Sequence, residues 1–286
     1  MQRSGNYPNA VSLIYVRAYE NIQQLYLPVQ PTVRQPADDV TYRELLPHKA
    51  LQPYISCYWQ LRTEKILEAQ FNYRVVADGC IDIFFECNNP AESYVMGFCK
   101  QYTEFPLEFS FHYIGIRFLP TMFPQLFKIN AAELSNRFLP LDDIAPAMAA
   151  FIAGGIDCTY GIESIAALFD GFFLESLRHT RLDEDIRLYD AITAILRNNG
   201  VIDIETQLDT GISPRQLRRL FEYYVGDTAK TFAKVVRFQH LLRAKPSVQS
   251  LRKNKLFFDA GYYDQAHFIK EFRNFYGTTP AKAFDR

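Results

Sequence analysis

The feature that most constrains this chain is a pattern that occurs twice near the C-terminus, with an offset of 51 residues. In each copy a glycine, Gly211 or Gly261, comes two or three residues before a helix-capping side chain. An apolar pair spaced i, i+4 follows, and a second glycine ends the copy. The pattern predicts two similar helical units in tandem, which suit a partner that itself repeats, such as duplex DNA. The matching positions are Ser213, Leu217, Phe221 and Gly226 in the first copy and Asp264, Phe268, Phe272 and Gly277 in the second.

Length and charge indicate two parts with different partners. A chain of 286 residues with 48% apolar and 22% charged residues can form two ordinary globular domains. Residues 190–286 hold 16 Lys and Arg against 10 Asp and Glu, whereas the preceding residues carry an acidic excess. A polyanionic partner for the C-terminal part alone fits this asymmetry. The alternative is that the extra positive charges only form a solvated surface.

The cysteines and the absence of export signals indicate a cytoplasmic protein with reduced thiols. No apolar run reaches the roughly 18 residues of a membrane span, and the first residues carry no secretory signal. The cysteine count is odd and contains no CxxC motif, so we expect reduced, mostly buried thiols. The five cysteines are Cys57, Cys80, Cys87, Cys99 and Cys158.

Enzyme and metal functions have little support in the sequence. A metal-dependent cupin enzyme needs clustered histidines and a carboxylate, but His48 and His112 are isolated. We therefore predict no enzymatic activity, no catalytic residue, no metal and no cofactor. One alternative stays open, a zinc or redox switch formed by Cys80, Cys87, Cys99 and His112.

Residues 54–118 have the sequence pattern of an all-β domain. Short aromatic or β-branched segments alternate there with turn signals such as Asp78-Gly79. Strands at this spacing, with no helical pattern between them, predict an antiparallel barrel or sandwich. The segments are YISCYWQLR, FNYRVVA, CIDIFFEC, SYVMGF and LEFSFHYIGIRF.

A change to helical periodicity follows residue 120. In residues 161–179 the apolar side chains repeat every 3.6 residues, which predicts an amphipathic helix. Its apolar face either packs on the sheet of its own chain or forms a dimer. Residues 183–200 predict a further helix that ends at Asn-Gly. A short, weaker helix is expected near residues 204–209.

The first copy of the repeat predicts a helix with a cationic outer face. Ser213 caps this helix and Pro214 takes its first position. Leu217, Leu220, Phe221 and Tyr224 share the face that must be buried. Arginine can donate two hydrogen bonds to guanine O6 and N7 or pair with phosphate. The candidate DNA-contacting residues on the opposite face are Arg215, Arg218 and Arg219.

The second copy repeats this scheme with a different outer face. Asp264 caps the helix, and Phe268, Phe272 and Phe275 are expected to be buried. Glutamine can contact adenine, while alanine and isoleucine can meet a thymine methyl group. Residues 227–245 predict a helix that connects the two units, and we expect the two outer faces about one DNA turn apart. The outward residues are Gln265, Ala266, Ile269, Lys270 and Arg273.

These C-terminal motifs resemble the DNA-binding domain of the AraC/XylS family of bacterial transcription regulators. The resemblance covers residues 185–285 and rests on GISPRQLRRLFEYYVG, RFQHLLRA and above all GYYDQAHFIKEFRNFYGTTP. It implies that Arg215, Arg218 and Arg219, together with Gln265, Ala266, Ile269 and Lys270, face DNA bases. The chain departs from the family pattern at Gln207 and Phe257, where a small alanine is usual, so helix crossings there should be crowded.

The N-terminal half also resembles one branch of that family, through VADGCIDIFFE, YIGIRFLP and FLPLDDI. This resemblance implies a β-rich, cupin-like domain for effector sensing or dimerisation; the alternative is that its aromatic residues only fill a small core. The fold class expected is therefore α+β in two domains, an antiparallel β barrel or sandwich followed by an all-α double helix-turn-helix. The segments are an irregular arm at 1–40, the sensor domain at 41–145, linker and candidate dimerisation helices at 146–182, and the DNA-binding domain at 183–286.

The sequence thus predicts a cytoplasmic, sequence-specific DNA-binding transcription regulator whose activity the N-terminal domain modulates. The alternative is a non-enzymatic ligand-binding or structural protein with a degenerate DNA-binding domain. The expected partner is double-stranded DNA at an operator or promoter. Further candidate partners are a small-molecule effector, RNA polymerase and a second copy of the chain.

Overall fold

The described part of the N-terminal half contains eight strands. The computed structural model describes residues 22–31, 39–183, 185–246 and 256–284. Most of the predicted arm at 1–40 therefore lies outside the described residues. Each of the predicted β segments holds a strand, and the stretch from 107 to 118 contains the end of one and the whole of the next. The strands are β1 (Val40–Leu45), β2 (Ile55–Thr63), β3 (Phe71–Val75), β4 (Ile81–Glu86), β5 (Ser93–Met96), β6 (Thr103–Leu107), β7 (His112–Phe118) and β8 (Phe138–Pro140).

The strands form two antiparallel sheets. Six strands pair in the order β1-β2-β7-β4-β5-β8, and β3 pairs with β6 in a separate two-stranded sheet. The predicted antiparallel arrangement is confirmed, and of the two predicted forms, barrel or sandwich, the strands that the structure describes do not form a closed barrel. The barrel does not close because β3 and β6 bond to each other and not to the edge strands β1 and β8. The alternating strand β4 buries Ile81, Ile83 and Phe85 on one face.

Residues 22–25 are helical, and the other described helices follow β7 and fill the C-terminal half. One prediction is wrong: the short helix expected near 204–209 is a series of turns. Gln207 Oε1 accepts a hydrogen bond from Asp203 N at 2.9 Å, and such local bonds compete with helix formation. The helices are α1 (Met122–Phe127), a 3-10 turn (Ala131–Glu133), α2 (Pro146–Gly155), α3 (Ile162–His179), α4 (Ile186–Arg197), α5 (Pro214–Tyr224), α6 (Ala229–Ala244), α7 (Leu256–Asp259), α8 (Gln265–Tyr276) and α9 (Pro280–Phe284).

The apolar face of α3 packs on the six-stranded sheet. Phe169 and Phe173 are fully buried, and the ring of Phe169 lies 5.4 Å from that of Tyr58 in β2. The ring of Phe173 meets Phe118 of β7 edge-on at 5.6 Å. Of the two interpretations of this helix, the structure has the one in which it covers its own sheet. The face expected to form a dimer is therefore already occupied.

The cysteines depart from the expectation of reduced thiols. Cys87 and Cys158 are joined in a disulfide with Cα atoms 5.6 Å apart, because the end of β4 meets the loop between α2 and α3. Cys57, Cys80 and Cys99 are free and buried. No three His, Cys, Asp or Glu side chains in the described ranges converge as a metal site would require.

One continuous apolar core links the six-stranded sheet to the C-terminal helices, and a second buried cluster includes Tyr73 of β3 and Leu107 of β6. The cluster of buried residues runs from Ile22 through the sheet to Phe275 of α8. Tyr26 and Phe232 of α6 lie with ring centroids 6.1 Å apart, although they come from opposite ends of the chain. The two halves are therefore packed together as one body. None of the helices that the structure describes is long and apolar enough to cross a membrane.

The packing of α3 gives a stability test. Replacing the fully buried Phe169 with alanine should lower the free energy of unfolding by about 3–5 kcal/mol, since it leaves a cavity under the sheet. Leu168, which is 40% exposed on the same helix, is the control, and its alanine variant should change stability by about 0.5 kcal/mol or less. Denaturant titration measures both values. Equal, small losses for the two variants would contradict this packing.

Candidate nucleic-acid interface

Helix α5 has a firmly determined start. Ser213 Oγ accepts a hydrogen bond from Gln216 N at 3.3 Å, and Ser213 N donates to Gln216 Oε1 at 3.1 Å. This reciprocal pair is a capping box, and Pro214 occupies the first helical turn. The backbone direction at the beginning of α5 is therefore set by its own sequence.

The two faces of α5 separate as the sequence predicts. Leu217, Phe221 and Tyr224 are buried and Leu220 is half-buried. Arg215, Arg218 and Arg219 are exposed together on the opposite side. Arg218 Nε donates to Glu222 Oε1 at 2.7 Å, in a surface pair that is readily exchanged for another anion. The exposed face of α5 thus offers three guanidinium groups.

Helix α8 has the same construction, but its exposed face carries fewer positive charges than that of α5. Asp264 Oδ1 accepts a hydrogen bond from His267 N at 2.7 Å and caps the helix. Phe268, Phe272 and Phe275 are buried, as expected. Gly277 ends the helix with a left-handed conformation, as Schellman-type ends require. All five outward residues predicted from the sequence are exposed: Gln265, Ala266, Ile269, Lys270 and Arg273.

A buried ionic cluster, for which no sequence motif is a direct signal, fixes α8 against α6. Glu271, in the middle of α8, accepts from Arg237 Nη2 at 2.6 Å and lies 3.3 Å from Lys234 Nζ. The guanidinium of Arg237 covers the ring of Tyr262, and its Nη1 donates to Gly261 O at 3.0 Å. Burial raises the pKa of Tyr262 well above its usual value, so the phenol stays neutral beside Glu271. From sequence alone, a glutamate that directly follows the outward Lys270 is expected at the surface. Only the packing of α8 on α6 shows that Glu271 is buried.

The departure at Phe257 is accommodated in the packing. Its ring is buried and stacks on Phe268, with centroids 6.2 Å apart and planes 12° from parallel. Gln207, the equivalent position in the first copy, is exposed within the turns. The expected crowding at the helix crossing therefore takes the form of an aromatic stack in the second copy.

The loop between β5 and β6, residues 97–102, contacts the C-terminal ends of both α5 and α8. A Cβ added to Gly226, which follows α5, would lie 3.0 Å from Phe98 Cβ and 2.8 Å from Ser135 Oγ. A Cβ added to Gly277 would lie 2.9 Å from the ring of Tyr102. Both glycines also have positive φ values. We call residues 97–102 the bridging loop, because it meets equivalent points of the two repeats.

Polar contacts reinforce this docking. Lys100 Nζ lies 2.5 Å from Asp227 Oδ2, directly after the first glycine. Asn274 of α8 donates from Nδ2 to Lys100 O at 2.8 Å, and Asn274 O accepts from Tyr102 N at 3.0 Å. Ser135 Oγ also donates to Gly226 O. The bridging loop therefore holds both helix ends by backbone and side-chain bonds.

A second loop, residues 76–80 between β3 and β4, docks on the helix that connects the two units. Gln239 of α6 donates from Nε2 to Ala77 O at 2.8 Å in a fully buried contact. Ala77 N donates to Phe275 O at 3.3 Å, and Gly79 lies against the ring of Phe232. We call residues 76–80 the docking loop. The two loops together attach α5, α6 and α8 to the β domain.

The family comparisons agree with this geometry. Residues 209–286 match the family model of a helix-turn-helix domain, and residues 43–140 match a domain of unknown function (DUF6597). No curated protein matches the sequence significantly. The C-terminal region is a helix-turn-helix domain of the AraC type, and the chain is a DNA-binding transcription regulator. Helices α5 and α8 both lie within the matched residues 209–286.

Solved structures of ToxT from Vibrio cholerae are similar over most of the chain. One crystal structure has 11% sequence identity and a TM-score of 0.36, and covers 87% of this chain and 98% of that chain. A second, with bound unsaturated fatty acid, has 10% identity and a TM-score of 0.38 over 86% and 94% of the two chains. The likeness at these TM-scores is too weak to transfer any property of ToxT to this chain.

The buried cluster at Glu271 gives a second stability test. Glu271→Gln should lower the free energy of unfolding by about 3–5 kcal/mol, because it leaves the cation of Arg237 without its buried partner. Glu222→Gln removes the partner of Arg218 on the surface and should cost less than about 1 kcal/mol. Chemical denaturation compares the two variants. A loss for Glu271→Gln no larger than for Glu222→Gln would refute the structural role of the cluster.

Proposed function

We propose that α5 and α8 enter successive major grooves of one duplex and together recognise a two-part operator. The observation that carries the proposal is the equivalent construction of the two helices, each capped at its start, buried on its apolar face and exposed on a face of DNA-contacting residue types. Helix α6, with 16 residues, spans about 24 Å between them. With the width of the two units, this length fits a spacing near one DNA turn, about 34 Å.

The residue types assign a role to each exposed side chain. Arg215, Arg218 and Arg219 are proposed to donate to guanine O6 and N7 or to phosphate. Gln265 is proposed to contact adenine, and Ala266 and Ile269 the methyl group of thymine. Lys270 and Arg273, which border one cleft with Lys100, are proposed to bind guanine or phosphate. On this assignment α5 supplies most of the affinity and α8 adjusts the sequence preference.

The β domain is proposed to control DNA binding through the bridging loop and the docking loop. Gly97 and Cys99 of the bridging loop, and Val76 and Asp78 of the docking loop, line one internal cavity. The same loops contact the ends of both recognition helices and the connecting helix α6. A small-molecule effector in this cavity would therefore act on the relative placement of α5 and α8. RNA polymerase and a second copy of the chain remain proposed partners, and a dimer would need a surface other than the covered face of α3.

Selection of bound DNA from a random pool, followed by sequencing, tests the proposal. The expected product is a motif in two parts, separated by about one helical turn. A parallel selection with Lys270→Ala and Gln265→Ala combined should lose sequence information in one part only. A single compact motif, or no enrichment with the unaltered protein, would contradict two-helix recognition.

The arginine face of α5 gives a third prediction. Arg219→Ala should weaken binding to the selected site by roughly 1–3 kcal/mol and relax the preference at one base position, since one bidentate contact is lost. Fluorescence anisotropy with the site and its single-base variants measures both effects. Arg178→Ala, which removes an exposed arginine of α3, is the control and should leave affinity unchanged. Unchanged affinity and preference for Arg219→Ala would remove this residue from the recognition set.

The bridging loop gives a fourth prediction. Tyr102→Ala removes the ring that packs against Gly277 and so loosens the end of α8. DNA binding must then order α8, and this ordering costs binding free energy. Affinity for the two-part site should fall by roughly 3–10-fold, while affinity for a half-site read by α5 alone should not change. Tyr160→Ala, at a tyrosine that is 57% exposed, serves as the control. An unchanged affinity for the two-part site would show that the loop does not position α8.

A further inference from the structure

A cavity of about 270 Å³ lies between the six-stranded sheet and the β3-β6 sheet. Its walls come from both sheets, with Trp59 and Phe84 on one side and Tyr73 and Phe105 on the other. A cavity of roughly 150 Å³ suffices for benzene, so this one takes a ligand of roughly ten non-hydrogen atoms. Most of the lining is aromatic or aliphatic, and the polar side chains gather at one end.

That polar end carries an excess of negative charge. Arg117 is 2% exposed and forms a bidentate pair with Asp82, with Nη2–Oδ2 at 3.0 Å and Nε–Oδ1 at 3.2 Å. Asp78 Oδ2 lies 3.5 Å from the same Nε, and Glu44 Oε1 lies 3.8 Å from Nη1. The single guanidinium of Arg117 is therefore the positive charge shared by three carboxylates. For a bound anion, the guanidinium of Arg117 is already paired with carboxylates. A bound cation, in contrast, would offset the excess negative charge.

The carboxylate of Asp82 is held facing the aromatic wall. Trp59 Nε1 donates to Asp82 Oδ2 at 3.0 Å. This approach depends on Gly115, where an added Cβ would lie 2.2 Å from the indole ring. Burial raises the pKa of Asp82 above the usual value of a carboxyl group, and the guanidinium of Arg117 opposes the shift. A second positive charge nearby would favour the ionised form of this group.

A continuous row of rings leads from this carboxylate towards the surface. The ring of Trp59 lies 6.5 Å from that of Phe84, which stacks on Tyr94 at 5.8 Å. Tyr94 is followed by Phe138 at 5.1 Å, and Phe138 is 48% exposed. Aromatic faces attract organic cations, most strongly where water is excluded. The row thus combines an apolar path with a preference for positive charge.

We propose that this cavity binds a small apolar organic cation, a protonated amine or a quaternary ammonium, with its charge beside Asp82 and Asp78 and its apolar part along the aromatic row. The inference rests on the proposed function only in taking the occupant of the cavity to be the effector. The charge excess and the row of rings carry the choice of ligand class.

Equilibrium dialysis of the full chain with three matched probes tests this ligand class. The probes are phenyltrimethylammonium, its uncharged carbon analogue tert-butylbenzene, and benzoate. The cation should bind about tenfold more tightly than the hydrocarbon, and benzoate should bind most weakly. No saturable binding of the cation, equal binding of the hydrocarbon, or tighter binding of benzoate would overturn the proposal.

Two variants locate the binding. Asp82→Asn should remove the preference for the cation over the hydrocarbon, whereas Glu108→Gln, at an exposed carboxylate outside the cavity, should leave it intact. If near-ultraviolet circular dichroism shows that Asp82→Asn does not fold, Phe138→Leu is used instead. This variant should lower the affinity for the cation more than the affinity for the hydrocarbon. If the unaltered chain and the folded variant show the same preference for the cation over the hydrocarbon, the proposed location of the site is wrong. Cation binding that leaves DNA affinity unchanged would contradict the proposed regulation but not the ligand class.

Discussion

The placement of α5 and α8, the two helices proposed to recognise DNA, depends on the contact between the bridging loop and the glycines that follow those helices. Gly226 and Gly277 are equivalent positions of the repeat, and both meet the segment from Phe98 to Tyr102 so closely that a Cβ would not fit. A tandem helix-turn-helix joined only by α6 could bend at either unit. Here the β domain holds the same end of both helices, so their relative placement is set within the protein itself.

This contact also explains how a cavity buried in the β domain can influence helices at the surface. Alternate residues of the bridging loop face opposite ways: Gly97 and Cys99 line the cavity, and Phe98 packs under the end of α5. The docking loop has the same double role, with Asp78 at the cavity and Ala77 bonded to Gln239 of α6. A ligand that shifts either loop must therefore shift the DNA-binding helices, because the apolar core between them is continuous.

Local features were predictable from the sequence, and long-range contacts were not. Ser213, Pro214 and Asp264 determine helix starts through bonds to their own neighbours, so the two recognition helices and their exposed faces could be predicted. The period of α3 identified its apolar face but not the sheet that covers it. The sequence left barrel and sandwich as alternatives, because strand order depends on pairing between distant segments. The disulfide between Cys87 and Cys158 was missed because spacing does not reveal which cysteines meet.

Hydrogen exchange on the intact protein tests the central claim most directly, because two amides cross the contact between the β domain and α8. Ala77 N donates to Phe275 O and Tyr102 N donates to Asn274 O. If the loops hold the recognition helices, these amides should exchange as slowly as those of the central strands β4 and β7. Exchange at the rate of an exposed loop, while the strands remain protected, would contradict the account.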